Sequence, residues 1–248
     1  MDIPRIFTIS ESEHRIHNPF TAEKYATLGR VLRMTPGARI LDLGSGSGEM
    51  LCTWARDHAI TGIGIDMSPL FTEQAIRRAE ELGVSERVHF EHNDAAGYIV
   101  ADKCDIAACI GATWIGGGVA GTLELLEQSL KPGGMLLIGE PYWRQVPATQ
   151  DIAKACGATS LADFLTLPEL VTSFATLGYD VVEMVLADQE GWDRYEAAKW
   201  LTLRRWLTAN PDDDFAPEVR AELTLAPERH VSLTREYFGW GVFALMRR

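Results

Sequence analysis

In ILDLGSGSGEM, residues 40–50, an apolar run passes through three glycines into the amphipathic segment EMLCTWARDH. A strand that turns at glycines into a helix is how open α/β sheets form a ligand-binding edge. Gly44, Gly46 and Gly48 permit positive φ and let backbone N–H groups approach a ligand with no Cβ in the way. The dinucleotide fingerprint, GxGxxG, seats a pyrophosphate at the helix N-terminus. Here Glu49 stands where its third glycine would, and Asp42 adds a second carboxylate two residues before Gly44. By Coulomb reasoning such a loop suits a cationic or zwitterionic ligand better than a phosphate.

Outward from this loop, apolar runs of strand length recur at 38–43, 60–65, 87–92, 104–110 and 134–139, with helical patterns between them. That alternation predicts a parallel sheet covered by helices on both faces. SPLFTEQAIRRAEELG reads as a crossover helix capped by Ser68, with Pro69 in its first turn and Gly83 as its stop. TLPELVTSFATLG carries a capping box from Thr166 to Glu169. Strands at 179–188 and 240–247 follow, and the last, with no helix after it, predicts an antiparallel return. The expectation is therefore an α/β, Rossmann-like, seven-stranded, mostly parallel sheet with a terminal antiparallel strand.

The chain reads as a single domain over 1–248, with a helical cover at 1–36 and a helical insertion at 189–237. In the cover, Asn18 is the expected cap and Pro19 the first helical residue. In the insertion, WDRYEAAKWLTLRRWLTAN brings Trp192, Tyr195 and Trp206 near one side of a helix, with Trp200, Leu203 and Leu207 on the next stripe. This is either a helix packed on the sheet edge or a lid whose aromatic side closes over a substrate.

Composition narrows the classes. Lys and Arg number 23 against 35 Asp and Glu, a net charge of −12, and no basic run offers a row of phosphates a partner, so nucleic acid is disfavoured. No window approaches the roughly 20 apolar residues of a membrane span, and MDIPRIFTISESEHR lacks the pattern of a secretory signal, which makes the cytoplasm the expected compartment. Cys52, Cys104, Cys109 and Cys156 form no CxxC pair and read as buried thiols. No histidine spacing suggests a metal site.

The loop DLGSGSG resembles the first motif of the class I S-adenosylmethionine-dependent methyltransferases, acidic-x-Gly-x-Gly-x-Gly. The resemblance covers residues 37–188 well, the last strand moderately, and the N-terminal helix and insertion poorly. It implies S-adenosylmethionine as cofactor, with Asp42, Gly44, Gly46 and Gly48 around its methionine part. Asp66, at the end of strand two, would bind the ribose diol, which suits a carboxylate because it can accept from both hydroxyls. Met67 would pack on the adenine, Asp94 and the backbone of Ala95 would meet its polar edge, with Asn93 beside them, and backbone near Ile110 and Gly111 would hold the amino group. Taken singly, each has a plainer role: Asp66 and Asp94 as helix caps, Met67 as core.

Methyl transfer from a sulfonium needs mainly placement, and a base only where the nucleophile carries a high-pKa proton. Glu140, at the end of strand five, is the best-placed base, with a structural carboxylate as the other reading. His14, His17, Trp114, Tyr142 and Trp143 are the candidate acceptor contacts. The leading expectation is a methyltransferase acting on a small molecule. The alternatives are an NAD(P)-dependent oxidoreductase of related topology and a non-catalytic S-adenosylmethionine-binding protein.

Overall fold

The computed structural model describes residues 3–248. The chain opens with α1 (Arg5–Glu11) and α2 (Ala22–Val31), then enters β1 (Arg39–Leu43) and α3 (Glu49–His58). β2 (Thr61–Asp66), α4 (Pro69–Glu81), β3 (Val88–His92) and β4 (Cys104–Ile110) follow, with α5 (Val119–Glu127) leading to β5 (Leu130–Trp143). After α6 (Gln150–Ala155) and α7 (Leu167–Thr176) come β6 (Tyr179–Leu186), α8 (Gln189–Ala209), α9 (Ala216–Arg229) and β7 (Phe238–Arg247).

The seven strands form one sheet in the order β3-β2-β1-β4-β5-β7-β6. β7 inserts antiparallel between β5 and β6, and the first five strands are parallel. The expected α/β sheet with an antiparallel closing strand is thus what forms. Its order reverses between β1 and β4, and at this switch point the strand ends leave a crevice for a ligand. Apolar clusters lie on its two faces, one built around Leu51, Trp54 and Ile40, the other around Leu41, Leu126 and Phe174.

Local chemistry sets the helix ends. Ser68 accepts from Phe71 N with Pro69 opening α4, and Thr166 and Glu169 make the reciprocal capping box of α7. The N-terminal cover differs from expectation in two ways. Thr21, not Asn18, caps α2, accepting from Lys24 N at 3.3 Å. Asn18 is buried in the preceding turn, donating to the Tyr25 hydroxyl at 2.9 Å and accepting from Phe20 N at 3.0 Å. Residues 5–11, which carry no strong periodic signal of their own, form a helix because α8 and α9 supply its partner. Ile9 packs there with Leu203, Leu207 and Val219.

β5 is longer than the 134–139 expected and runs on to Trp143, paired with β7 from Leu136↔Leu245 to Trp143↔Phe238. All four cysteines are free and buried. Among the described residues no helix is long and apolar enough to cross a membrane, and no cluster of three His, Cys, Asp or Glu could hold a metal.

Candidate active site

The loop leaves β1 by hydrogen-bonding Gly44 N and Ser45 N to Ile65 O, at 2.8 and 3.0 Å, which ties it to the end of β2. Gly46 sits at φ +53, and a Cβ there would lie 2.6 Å from His17 Cδ2. Gly48, at φ +71, precedes α3, and a Cβ on it would meet Phe90 at 2.6 Å. The glycines therefore serve close approach as well as turning. Gly46→Ala combines left-handed strain with displacement of His17, and is expected to cost about 1–2 kcal/mol of folding stability. A thermal melt checks this, and an unshifted midpoint would show that the loop relaxes freely.

Over this loop lies a cavity of about 310 Å³. Gly44, Gly46, Asp66, Ala95, Ile110 and Gly111 line it from the sheet edge, and Met67 and Phe71 from the start of α4. Ile3, Pro4, Phe7 and His17 cover it from the N-terminal segment, with Trp114 and Ile115 closing the side. The cover is thus the N-terminal segment rather than the aromatic insertion. The insertion's part is to carry that segment.

The link between the two is a buried carboxylate that the sequence did not flag. Glu11 is fully buried; it accepts from the Tyr195 hydroxyl at 2.7 Å and lies 3.2 Å from His17 Nδ1 and 3.6 Å from Lys199 Nζ. Burial alone would raise its carboxyl, but His17 and Lys199 prevail and hold it below the ordinary value. His17 in turn reaches Ser47 Oγ of the glycine loop at 2.7 Å and packs on Phe71, ring centroids 4.2 Å apart.

Two aspartates give the cavity its charge. Asp66 accepts from Gly46 N at 2.7 Å and from Ser68 N at 2.8 Å, and burial pushes its carboxyl up. A carboxylate offers about four lone-pair sites, so these bonds leave acceptor capacity free. Asp42 lies deeper, in a small recess shared with His17, Gly44 and Ile110. Its Oδ1 is buried without a partner, and burial together with the nearby Asp66 charge pushes the carboxyl up to about 7. An orphaned buried acceptor costs about 1–3 kcal/mol, more when charged, unless a donor answers it. Glu49 plays a different part from the one its position suggested. Its carboxylate turns onto Arg78, 2.8 and 3.0 Å away in a bidentate pair, with Arg15 at 4.0 Å, so its charge is balanced outside the cavity.

The remaining expected site residues divide. Asn93 and Asp94 lie exposed beyond β3, where Asn93 Oδ1 accepts from Asp94 N and Asp94 Oδ1 from Ala96 N. Glu140 reaches the cavity wall from behind: Thr113, between the lining residues Ala112 and Trp114, donates to its Oε2 at 2.8 Å. Burial pushes the Glu140 carboxyl up to about 7. Three residues lie apart from this cavity. His14 faces the Tyr195 ring and carbonyl on the far side of Glu11. Trp143 is stacked on Phe238 at 4.6 Å with its Nε1 donating to Leu161 O. Tyr142 fills the space above Gly239, where even a Cβ would meet its ring at 2.2 Å. Aromatic character marked both as pocket walls, but the long β5–β7 pairing turns them into core.

One buried unpaired carboxylate, a second carboxylate with free lone pairs and close backbone N–H groups together fit a nucleoside carrying an amino-acid group better than a dinucleotide. The comparisons with known proteins agree. Residues 34–197 match the family model described as a methyltransferase domain. The chain is 81% identical over 248 residues, all of both chains, to the protein YjhP of Escherichia coli strain K12. It is 73% identical to an S-adenosylmethionine-dependent methyltransferase of Geobacter sulfurreducens crystallised with S-adenosyl-L-homocysteine. That match has a TM-score of 0.98 and covers 100% of this chain and 99% of that one. A Thiobacillus denitrificans enzyme of the same description and ligand is 69% identical, with a TM-score of 0.98 and all of both chains covered. The chain belongs to the methyltransferase-domain family and is an S-adenosylmethionine-dependent methyltransferase.

Proposed function

We propose that the enzyme methylates a small-molecule acceptor in the cytoplasm, with the residues around the 310 Å³ cavity holding the cofactor. The observation that carries this reading is the cover. Ile3, Pro4, Phe7 and His17 close over the glycine loop, which suits an enclosed reaction better than a polymer sliding across an open face. The overall charge of −12 points the same way with respect to nucleic acid.

Each residue then has a task. Asp42 Oδ1 answers the cofactor's ammonium, jointly with backbone at Ile110 and Gly111. Asp66 accepts from the ribose hydroxyls with the lone pairs that Gly46 and Ser68 leave free. Met67 packs on the adenine, and Asp94 and Ala95, with Asn93 at the rim, meet its polar edge. When bound, S-adenosylmethionine supplies a methyl on a sulfonium, transferred in line as the carbon–sulfur bond breaks onto sulfur. His17 and Trp114 shape the covered space and exclude water.

Glu140 is the proposed proton acceptor. With its carboxyl near 7 and its Oε2 fixed by Thr113, it changes state in the range where a general base is most effective. Turnover should rise with pH through about 7 as Glu140 ionises. Glu140→Gln should abolish that rise and lower kcat about 100-fold or more. An unchanged profile would make Glu140 a structural carboxylate. The small-molecule reading is tested by incubating the enzyme with methyl-labelled S-adenosylmethionine and a cell extract. Label is expected in a small product that passes an ultrafilter and separates chromatographically from S-adenosylmethionine; label confined to protein or nucleic acid overturns the reading.

A further inference from the structure

A second cavity, of about 440 Å³, lies on the other side of α1, between α6, α8 and α9. Phe7 is the one residue lining both cavities. Trp192, Glu196, Lys199, Trp200 and Leu203 face the second cavity from one stripe of α8, at the spacing of a helix face. Phe238 lies opposite Trp192, with ring centroids 6.2 Å apart and planes within 19°. Here the aromatic load of the insertion is spent.

Two observations indicate what the cavity takes. The indole Nε1 groups of Trp192 and Trp200 are both buried with no acceptor. Such donors are rarely left unsatisfied, and a small shift of either ring would offer its N–H to an occupant bearing oxygen acceptors. The charges around the cavity are also unequal. Lys199 is paired with Glu196 at 2.9 Å, and Arg229 with Glu222, while Lys154 has no ion-pair partner among the described residues. One uncompensated cation thus stands at an aromatic-walled cavity in a chain of net charge −12.

We propose that this second cavity is the acceptor site, and that the acceptor is a flat, apolar-bodied molecule carrying an anionic oxygen group. Its body lies against Trp192, Trp200 and Phe238, its charged group meets Lys154, and Phe7 turns aside to join it to the methyl donor. The inference rests on the small-molecule reading, whose own readout is the fate of the label, so the two fail separately.

The test uses the anionic fluorophore 1-anilinonaphthalene-8-sulfonate and its uncharged analogue N-phenyl-1-naphthylamine, with the intact protein saturated in S-adenosylhomocysteine. The anionic probe should bind despite the saturated cofactor cavity, and more tightly than the neutral one. Lys154→Glu, an exposed change that leaves the melt unaltered, should weaken it about tenfold or more. Trp200→Leu should weaken it independently. The bound probe should also block incorporation of label into the small product resolved from S-adenosylmethionine, without altering S-adenosylhomocysteine affinity. Displacement of the probe by S-adenosylhomocysteine, indifference to both substitutions, or undiminished incorporation at saturating probe would each overturn the proposal.

Discussion

Asp66→Ala is expected to lower the affinity for S-adenosylhomocysteine by about 1.5–3 kcal/mol, ten- to over a hundredfold, in a calorimetric titration. Two losses combine. The carboxylate's free lone pairs would no longer be there for the proposed ribose diol contact, and Gly46 N and Ser68 N would lose the acceptor that fixes the loop against α4. Asp66→Asn is the milder change. Its amide oxygen can keep one of the two backbone bonds, while its NH2 can accept from neither the other N–H nor a hydroxyl, so the affinity should fall with the loop still partly held. An Asp66→Ala protein that binds as tightly as the parent would reduce Asp66 to a helix cap.

Glu11→Ala is expected to destabilise the fold by about 3 kcal/mol, at the lower end of the range for removing one partner of a buried ion pair, because Lys199 and His17 keep partial access to water. At this chain length that is a fall of roughly 6–12 °C in the melting midpoint. The loss has a functional signature as well. Glu11 holds His17 against Ser47 and, through Tyr195 and Lys199, α1 against α8, so its removal loosens the cover and weakens cofactor binding together with stability. Glu11→Leu, which fills the space without a charge, should restore packing but not the orientation of His17. A midpoint unchanged in both variants would contradict the role.

These carboxylates act on stability in opposite directions with pH. Glu11 is held below its ordinary value, so its contribution is present above the unfolded carboxylate value and is lost as pH falls through the folded one. Asp42 and Glu140 are raised to about 7. In the ligand-free protein their contribution is fully present below the ordinary carboxylate value and is lost progressively as pH rises from there through about 7, as the unfolded chain ionises before the buried groups do. Saturating S-adenosylmethionine should blunt the Asp42 part of this loss, since an ammonium beside the carboxylate favours its charged form.

Much of the fold was legible because the parallel half of the sheet announces itself locally. Each strand is a short apolar run and each crossover helix carries its own cap, as at Ser68 and at the Thr166–Glu169 box. The sheet-edge lining of the cavity was legible for a related reason. Residues at consecutive strand ends, Gly44 and Gly46 of DLGSGSG, Asp66 and Ala95, do line one cavity, as the family resemblance led one to expect.

What escaped depends on contacts between residues far apart in the chain. α1 has seven residues and gains its partners from Leu203, Leu207 and Val219, so nothing within it forecasts a cover over the cavity. Glu11 looks like one of many surface acids until Tyr195 and Lys199, nearly 200 residues on, surround it. Glu49 misled in the opposite sense: its sign was read from position, and its effect is cancelled by Arg78 on the neighbouring helix. Tyr142 and Trp143 were read as pocket walls because β5 was expected to stop at 139, and four more residues of pairing bury them instead.

The most direct measurement titrates the ligand-free protein with S-adenosylmethionine, S-adenosylhomocysteine and NAD by calorimetry, with Asp42→Asn in parallel. One site per chain is expected for the first two ligands, with no heat from NAD. In Asp42→Asn both S-adenosyl ligands should bind more weakly, since both carry the α-ammonium. Tight NAD binding, with silence from the S-adenosyl ligands, would contradict this assignment of the cofactor.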